Sequence, residues 1–193
     1  MKKFLTLALA AALAMSMTAC GSETTETTAA STAAGTAASG EAETGAESQG
    51  ETGEAPETVT ITSLDGSGQE IQLEVPYDPQ RIAILDMPSL DILDNLGLGD
   101  RVVGSASTSL DYLQEYVTNE SIENLGTIKE ADMEAVMACE PDIIFIGGRL
   151  SASYDALSEI APVVYLATDT ELGVVASVEK NATTIASLFG LEA

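Results

Sequence analysis

From residue 58 onward, apolar positions recur with two different periods. Val59 and Ile61 alternate with Thr60 and Thr62, and Ile71, Leu73 and Val75 alternate with Gln72 and Glu74. The turn-forming stretch Asp65-Gly66-Ser67-Gly68 lies between them. Period-2 runs flanking such a turn predict a β-hairpin with one face open to water. Pro76 and Pro79 end it, and Arg81-Ile82-Ala83-Ile84-Leu85 follows as a short continuous apolar run, the pattern of a buried parallel strand. Pro88 then opens a helical pattern carrying Leu90, Leu93 and Leu96 on one face, and Gly97 stops it.

The alternation continues to the end of the chain. Val102-Val103 predicts a second strand, and Leu110, Leu113 and Val117 a short helix. Met133, Val136 and Met137 mark another helical stripe, stopped by Pro141. Asp142 to Ile146 reads as a buried strand closed by Gly147-Gly148. Tyr154, Leu157 and Ile160 predict a helix, and Val163-Val164-Tyr165-Leu166 a further strand. From Leu172 a helical pattern runs through Val175, Val178, Ile185 and Leu188 to Gly190. At ~18 residues this helix would span about 27 Å, long for a terminal cap on a small sheet, and it reads as a connector. Strand and helix in alternation predict an α/β fold, a doubly wound, mostly parallel sheet preceded by the β-hairpin.

The first 57 residues follow other rules. Lys2 and Lys3 precede an apolar run from Phe4 to Ala14, and Met17-Thr18-Ala19-Cys20-Gly21 follows. This is the charged, apolar and small-residue order of a secretory signal, too short in its apolar part for a comfortable membrane span. The junction resembles the lipobox of bacterial lipoproteins, with Met17 where Leu is usual. Residues 1–19 are then a lipoprotein signal peptide, and Cys20 carries two acyl chains, the number that stable anchoring needs. Residues 21–57 hold eight Glu, no base and no Leu, Ile, Val or aromatic residue. Such a stretch cannot offset its ordering entropy by burial, so 20–57 reads as a disordered acidic tether.

Charge and composition then narrow the chemistry. Acids outnumber bases 31 to 7, and residues 58–193 alone keep 23 acids against five bases. That balance argues against nucleic acid, whose phosphates need clustered Lys and Arg, and against an anionic membrane surface as partner of the folded part. The chain contains no His, the commonest general base and metal ligand, and two Cys cannot make a Cys-based zinc site. No GxSxG, GxGxxG or GxxxxGK stretch occurs, and without His no acyl-transfer relay is evident. The reading is of a non-enzyme. Cys139, at the end of an apolar helix, reads as a buried inert thiol.

Several short motifs recur in one order: Asp65-Gly66, Pro79-Gln80-Arg81-Ile82-Ala83, Leu90-Asp91, Leu96-Gly97, Leu125-Gly126-Thr127, Asp132-Met133-Glu134 and Glu140-Pro141-Asp142-Ile143-Ile144. Together they resemble the substrate-binding lipoproteins of iron–siderophore and cobalamin ABC importers. Ser109-Leu110-Asp111-Tyr112-Leu113 and Ile146-Gly147-Gly148-Arg149 point to the branch that binds catecholate-type siderophores. The resemblance covers roughly residues 58–190. It implies a two-lobe protein hinged by a single long helix, with 58–171 as the N-terminal lobe and 172–193 as the start of the connecting helix. The C-terminal lobe is then absent, through truncation, an interrupted frame or excision of a fragment. The implied function is capture of a ferric siderophore outside the cytoplasm, at the cell membrane, and its delivery to a permease. The iron is held by the chelator and not by protein side chains. The alternatives are a degenerate lobe without a transport role and a cobalamin- or haem-type binding protein of the same fold.

In open parallel sheets, ligands sit at the carboxyl ends of strands. Four such ends are expected here: Asp86-Met87, Ser105, Gly148-Arg149 and Thr168. Only one carries a base. Arg149 follows two glycines that admit close backbone approach, and guanidinium suits clustered anionic oxygens such as those of ferric catecholates. The family also places a ligand-contacting Arg here. Arg149 and Gly148 are therefore candidate ligand-binding residues, against pairing of Arg149 with a neighbouring acid. Met87 could meet an aromatic ligand face and Tyr112 could stack at the rim, each against a packing role. Asp86 reads as a helix cap or a partner of Arg149. By resemblance Glu134 docks to an Arg pocket on the permease, against a plain first-turn Glu on the helix dipole.

Overall fold

The computed structural model describes residues 55–192. The signal segment, Cys20 and the acidic stretch through residue 54 lie outside the described residues. Strands β1 (Thr58–Leu64) and β2 (Glu70–Pro76) form the expected antiparallel hairpin, pairing Val59 with Val75 and Ile61 with Leu73. The Asp65 carboxylate closes the turn by accepting from the N–H groups of Ser67 and Gln69, both at 2.9 Å. That is the turn chemistry for which Asp is suited.

After β3 (Ile82–Leu85) come α1 (Met87–Asn95), β4 (Val102–Ser105), α2 (Glu115–Thr118) and β5 (Glu123–Asn124). A small antiparallel pair, β6 (Gly126–Thr127) and β7 (Glu130–Ala131), leads into α3 (Met133–Ala138) and β8 (Ile143–Ile146). A 3-10 segment, Gly148–Ser153, continues into α4 (Tyr154–Ser158), then β9 (Val163–Tyr165) and α5 (Val174–Ser187). The main sheet is parallel throughout, in the order β5-β4-β3-β8-β9. Every residue of β3 and β8 is buried, the signature of strands covered on both faces. The hairpin joins this sheet through Ser63, whose buried hydroxyl accepts from the backbone N–H of Tyr165 at 2.9 Å.

Two of the motifs meet at the amino ends of the central strands. The Asp142 carboxylate accepts from the backbone N–H groups of Gln80 at 2.8 Å and Arg81 at 2.9 Å. The Arg81 guanidinium in turn donates to the carbonyls of Cys139 and Glu140, where α3 ends. Pro79-Gln80-Arg81 and Glu140-Pro141-Asp142 are thus one clasp that sets β3 beside β8. Asp142 and Arg81 satisfy backbone groups that would otherwise lack partners.

Three helical stripes differ from the expected pattern. In the 111–118 segment Leu113 and Tyr116 are buried while Val117 is exposed, because the Tyr116 hydroxyl donates to Asp94 of α1 at 2.6 Å and draws that face inward. In α3, Val136 is buried but Met137 is 61% exposed, since six residues present only a narrow inner face. In α5 and at its C-cap, Ile185, Ala186 and Leu188 are buried, whereas Val175 is 73% exposed. A polar contact holds the first half of α5: the buried Ser177 hydroxyl accepts from Asp169 N–H at 2.9 Å and donates to the Gly173 carbonyl at 2.8 Å. The helix is 14 residues long, shorter than expected, and the carbonyl of Leu188 accepts from Asp78 N–H at 2.7 Å, seating its end on the lobe.

Candidate functional site

The strand order selects two of the four strand ends. The chain runs outward from β3 to β4 and β5, then returns to the other side of β3 as β8 and β9. The connections leaving β3 and β8 therefore diverge, and the crevice between their carboxyl ends is the topological switch point where open α/β sheets bind ligands. Asp86-Met87 borders it on one side and Gly147-Gly148-Arg149 on the other. The two segments touch: a Cβ added to Gly147 would collide with Oδ1 of Asp86, so only glycine fits beneath that carboxylate.

Asp86 caps α1. Its Oδ2 accepts from Ser89 N–H at 3.0 Å and from the Ser89 hydroxyl at 2.8 Å, and Pro88 fills the first turn of the helix. Burial pushes the Asp86 carboxyl above its ordinary range, against the two Ser89 bonds that favour the charged form. Asp86 does not pair with Arg149. Of the two expectations for Asp86, the structure shows the cap.

Arg149 is exposed at the start of the 3-10 segment, anchored by the buried Leu150 beside it. Among the described residues it makes no ion pair. Three of the other four bases are engaged, and Lys129, like Arg149, makes no ion pair among the described residues. Arg81 holds the α3 carbonyls, and Arg101 pairs with Asp78 and lies over the Phe189 ring. Lys180 pairs with Glu70 at 3.0 Å, and Lys129 sits in the β6–β7 turn. The one guanidinium left without a protein acceptor thus stands at the switch point, on an acidic lobe that offers many.

The remaining candidates are placed unequally. Gly148 is exposed next to Arg149. Met87 is only 9% exposed and belongs to the core, so it presents little area to the crevice. Tyr112 is 61% exposed on the turn 111–113, in the connection leaving β4. Ser105 is buried, its hydroxyl donating to the Ala106 carbonyl, and does not face the crevice. Glu134 is exposed in the first turn of α3, behind the Asp132 cap. Cys139 is buried, and burial raises its thiol pKa, the state of an unreactive cysteine. The residue that sequence reasoning missed is Tyr165. A Cβ on Gly148 would stand 3.0 Å from its hydroxyl oxygen. Its sequence signal was an aromatic residue closing an apolar strand, which reads as core.

A doubly wound open sheet with Arg149 and two glycines at its switch point defines an α/β lobe of the class whose strand ends are suited to small ligands. The comparisons with known proteins agree. The periplasmic binding protein family matches residues 82–193, and the chain belongs to that family. It is 31% identical over 193 residues to the petrobactin-binding protein YclQ of Bacillus subtilis, across the whole of this chain and 52% of YclQ. The YclQ crystal structure superposes with a TM-score of 0.62 at 34% identity, covering 69% of this chain and 46% of that one. The periplasmic catecholate-siderophore binding protein VctP of Vibrio cholerae superposes with a TM-score of 0.61 at 29% identity, covering 69% and 47%. A probable siderophore-binding lipoprotein of Bacillus subtilis, YfiY, is 32% identical over 98 residues, 47% of this chain and 29% of YfiY. The chain spans about half the length of YclQ and less of YfiY.

Proposed function

We propose that this chain is the siderophore-binding lobe of a membrane-tethered, extracytoplasmic component of an ABC importer, and that it takes up ferric chelates of the catecholate type. The observation that carries this reading is Arg149, unpaired at the switch point of an acidic lobe. The names of YclQ and VctP, a petrobactin binder and a catecholate-siderophore binder, support the same ligand class. A guanidinium keeps its protons and cannot ligate iron, so Arg149 reads the outer oxygens of a chelate whose metal is already enclosed. Glu134, exposed at the start of α3, is the lobe's contact with a basic pocket on the permease.

The function is tested by titrating the chain with a ferric tris-catecholate, an anion, and with a neutral ferric trihydroxamate of similar size. Quenching of the tyrosine fluorescence reports binding. Charge-assisted contacts favour the anion, with an expected preference of about tenfold or more. Equal affinity, or preference for the hydroxamate, would contradict the assignment.

Anchoring rests on the Thr18-Ala19-Cys20-Gly21 junction, and the lipoprotein name of YfiY supports it. Metabolic labelling with a fatty acid should mark the wild type and place it in the membrane fraction. Cys20→Ala should lose both label and membrane association; retention of either rules out Cys20 as the acylated residue.

A further inference from the structure

The crevice has a second polar wall. Tyr165 is the last residue of β9, with its ring buried and only 8% of the residue exposed. Its backbone is pinned to the hairpin, where Ser63 Oγ accepts from Tyr165 N–H at 2.9 Å. Its hydroxyl makes no hydrogen bond among the described residues, none of whose buried side-chain polar atoms lacks a partner. That oxygen lies against the bare Cα of Gly148, where a Cβ would stand 3.0 Å from it. Arg149 is the next residue. A phenol held by a buried ring therefore stands at Gly148, the residue before the unpaired Arg149.

We propose that the Tyr165 hydroxyl is a specificity-determining hydrogen-bond donor of this site, aimed with Arg149 at the anionic oxygens of the bound chelate. This rests on the functional reading above and adds a second contact to it. The buried ring holds the donor in one orientation before the ligand arrives, so little side-chain entropy is lost on binding. A phenol donating to a deprotonated oxygen makes a short charge-assisted bond. Gly148 has a role in this arrangement: it leaves the hydroxyl uncovered, and any side chain would stand between Tyr165 and the ligand.

The test follows backbone NMR shifts of the purified 193-residue chain as a gallium(III) tris-catecholate, a diamagnetic stand-in for the ferric complex, is added. Tyr165→Phe keeps the buried ring and removes one oxygen. It is expected to weaken binding about tenfold, from the usual strength of a hydrogen bond to a charged group, with an unchanged thermal midpoint. Gly148→Ala, which puts a methyl group over the hydroxyl, is expected to weaken binding by a similar factor. A purely structural tyrosine would not couple the two changes, whereas here the double variant should lose little beyond either single one. Tyr165→Phe equal to wild type while Arg149→Ala is weakened would overturn the Tyr165 contact and leave the site reading intact. Unchanged affinity of Gly148→Ala overturns it as well, even if Tyr165→Phe does not fold. No shift at all in the wild type overturns both.

Discussion

In a complete two-lobe form, replacing Arg149 by Ala is expected to weaken binding of a ferric catecholate by about one to two decades. Hydrogen bonds to charged groups contribute roughly 1.5–3 kcal/mol each, and a guanidinium can make two in parallel. Three of the lobe's other bases are committed elsewhere. Arg81 and Arg101 are committed to the α3 carbonyls and to Asp78, and Lys180 to Glu70. Arg149→Lys should recover only part of the loss, since a point charge lacks the planar fork. Because Arg149 is exposed and supports no packing, its removal should leave the unfolding midpoint where it was. Equal affinity of wild type and Arg149→Ala by tyrosine fluorescence quenching would remove Arg149 from the site.

Asp142→Ala is expected to have the opposite profile, a loss of stability of about 2–3 kcal/mol, estimated from two bonds to a charged acceptor that do not add fully. Its carboxylate holds two consecutive N–H groups, those of Gln80 and Arg81, at the entry to the central strand β3. Alanine leaves both without that acceptor and loosens the clasp between β3 and β8. Asp142→Asn keeps one acceptor oxygen and should recover about half. Urea unfolding reads this as a lower midpoint with an unchanged slope. A change below about 0.5 kcal/mol, the size of an ordinary surface substitution, would show that the clasp contributes nothing.

Much of this was legible in the chain itself. Continuous apolar runs such as Ile82–Leu85 and Ile143–Ile146 can be satisfied only by strands buried on both faces, and both were found so. The hairpin followed from period-2 patterning and the Asp65 turn. Less legible was any element where a polar contact overrides apolar spacing. Tyr116 is buried in place of Val117 because its hydroxyl has Asp94 to bond, and the first half of α5 is held by Ser177, leaving Val175 and Val178 exposed.

The site was half legible. Arg149 stood out as the one base at an expected strand end. What could not be read was the order β5-β4-β3-β8-β9, which makes the β3 and β8 ends the switch point. Pairing between strands ~60 residues apart leaves no local trace in the sequence. Met87 reads equally as a contact or as packing and is 9% exposed, while Tyr165 reads as core and has its hydroxyl beside Gly148. In both cases strand spacing locates the residue but does not say which of its atoms reaches the surface.

The most direct measurement is residue-resolved: backbone NMR shifts of the 193-residue chain titrated with gallium(III) tris-catecholate. If the switch point binds the chelate, saturable shifts should concentrate at Asp86-Met87, Gly147-Gly148-Arg149 and Tyr165, with a smaller response at Tyr112. Residues of the clasp at the opposite ends of the strands, Arg81 and Asp142, should stay still. Shifts confined to other surfaces, or none up to millimolar chelate, would contradict a ligand site at the carboxyl ends of β3 and β8.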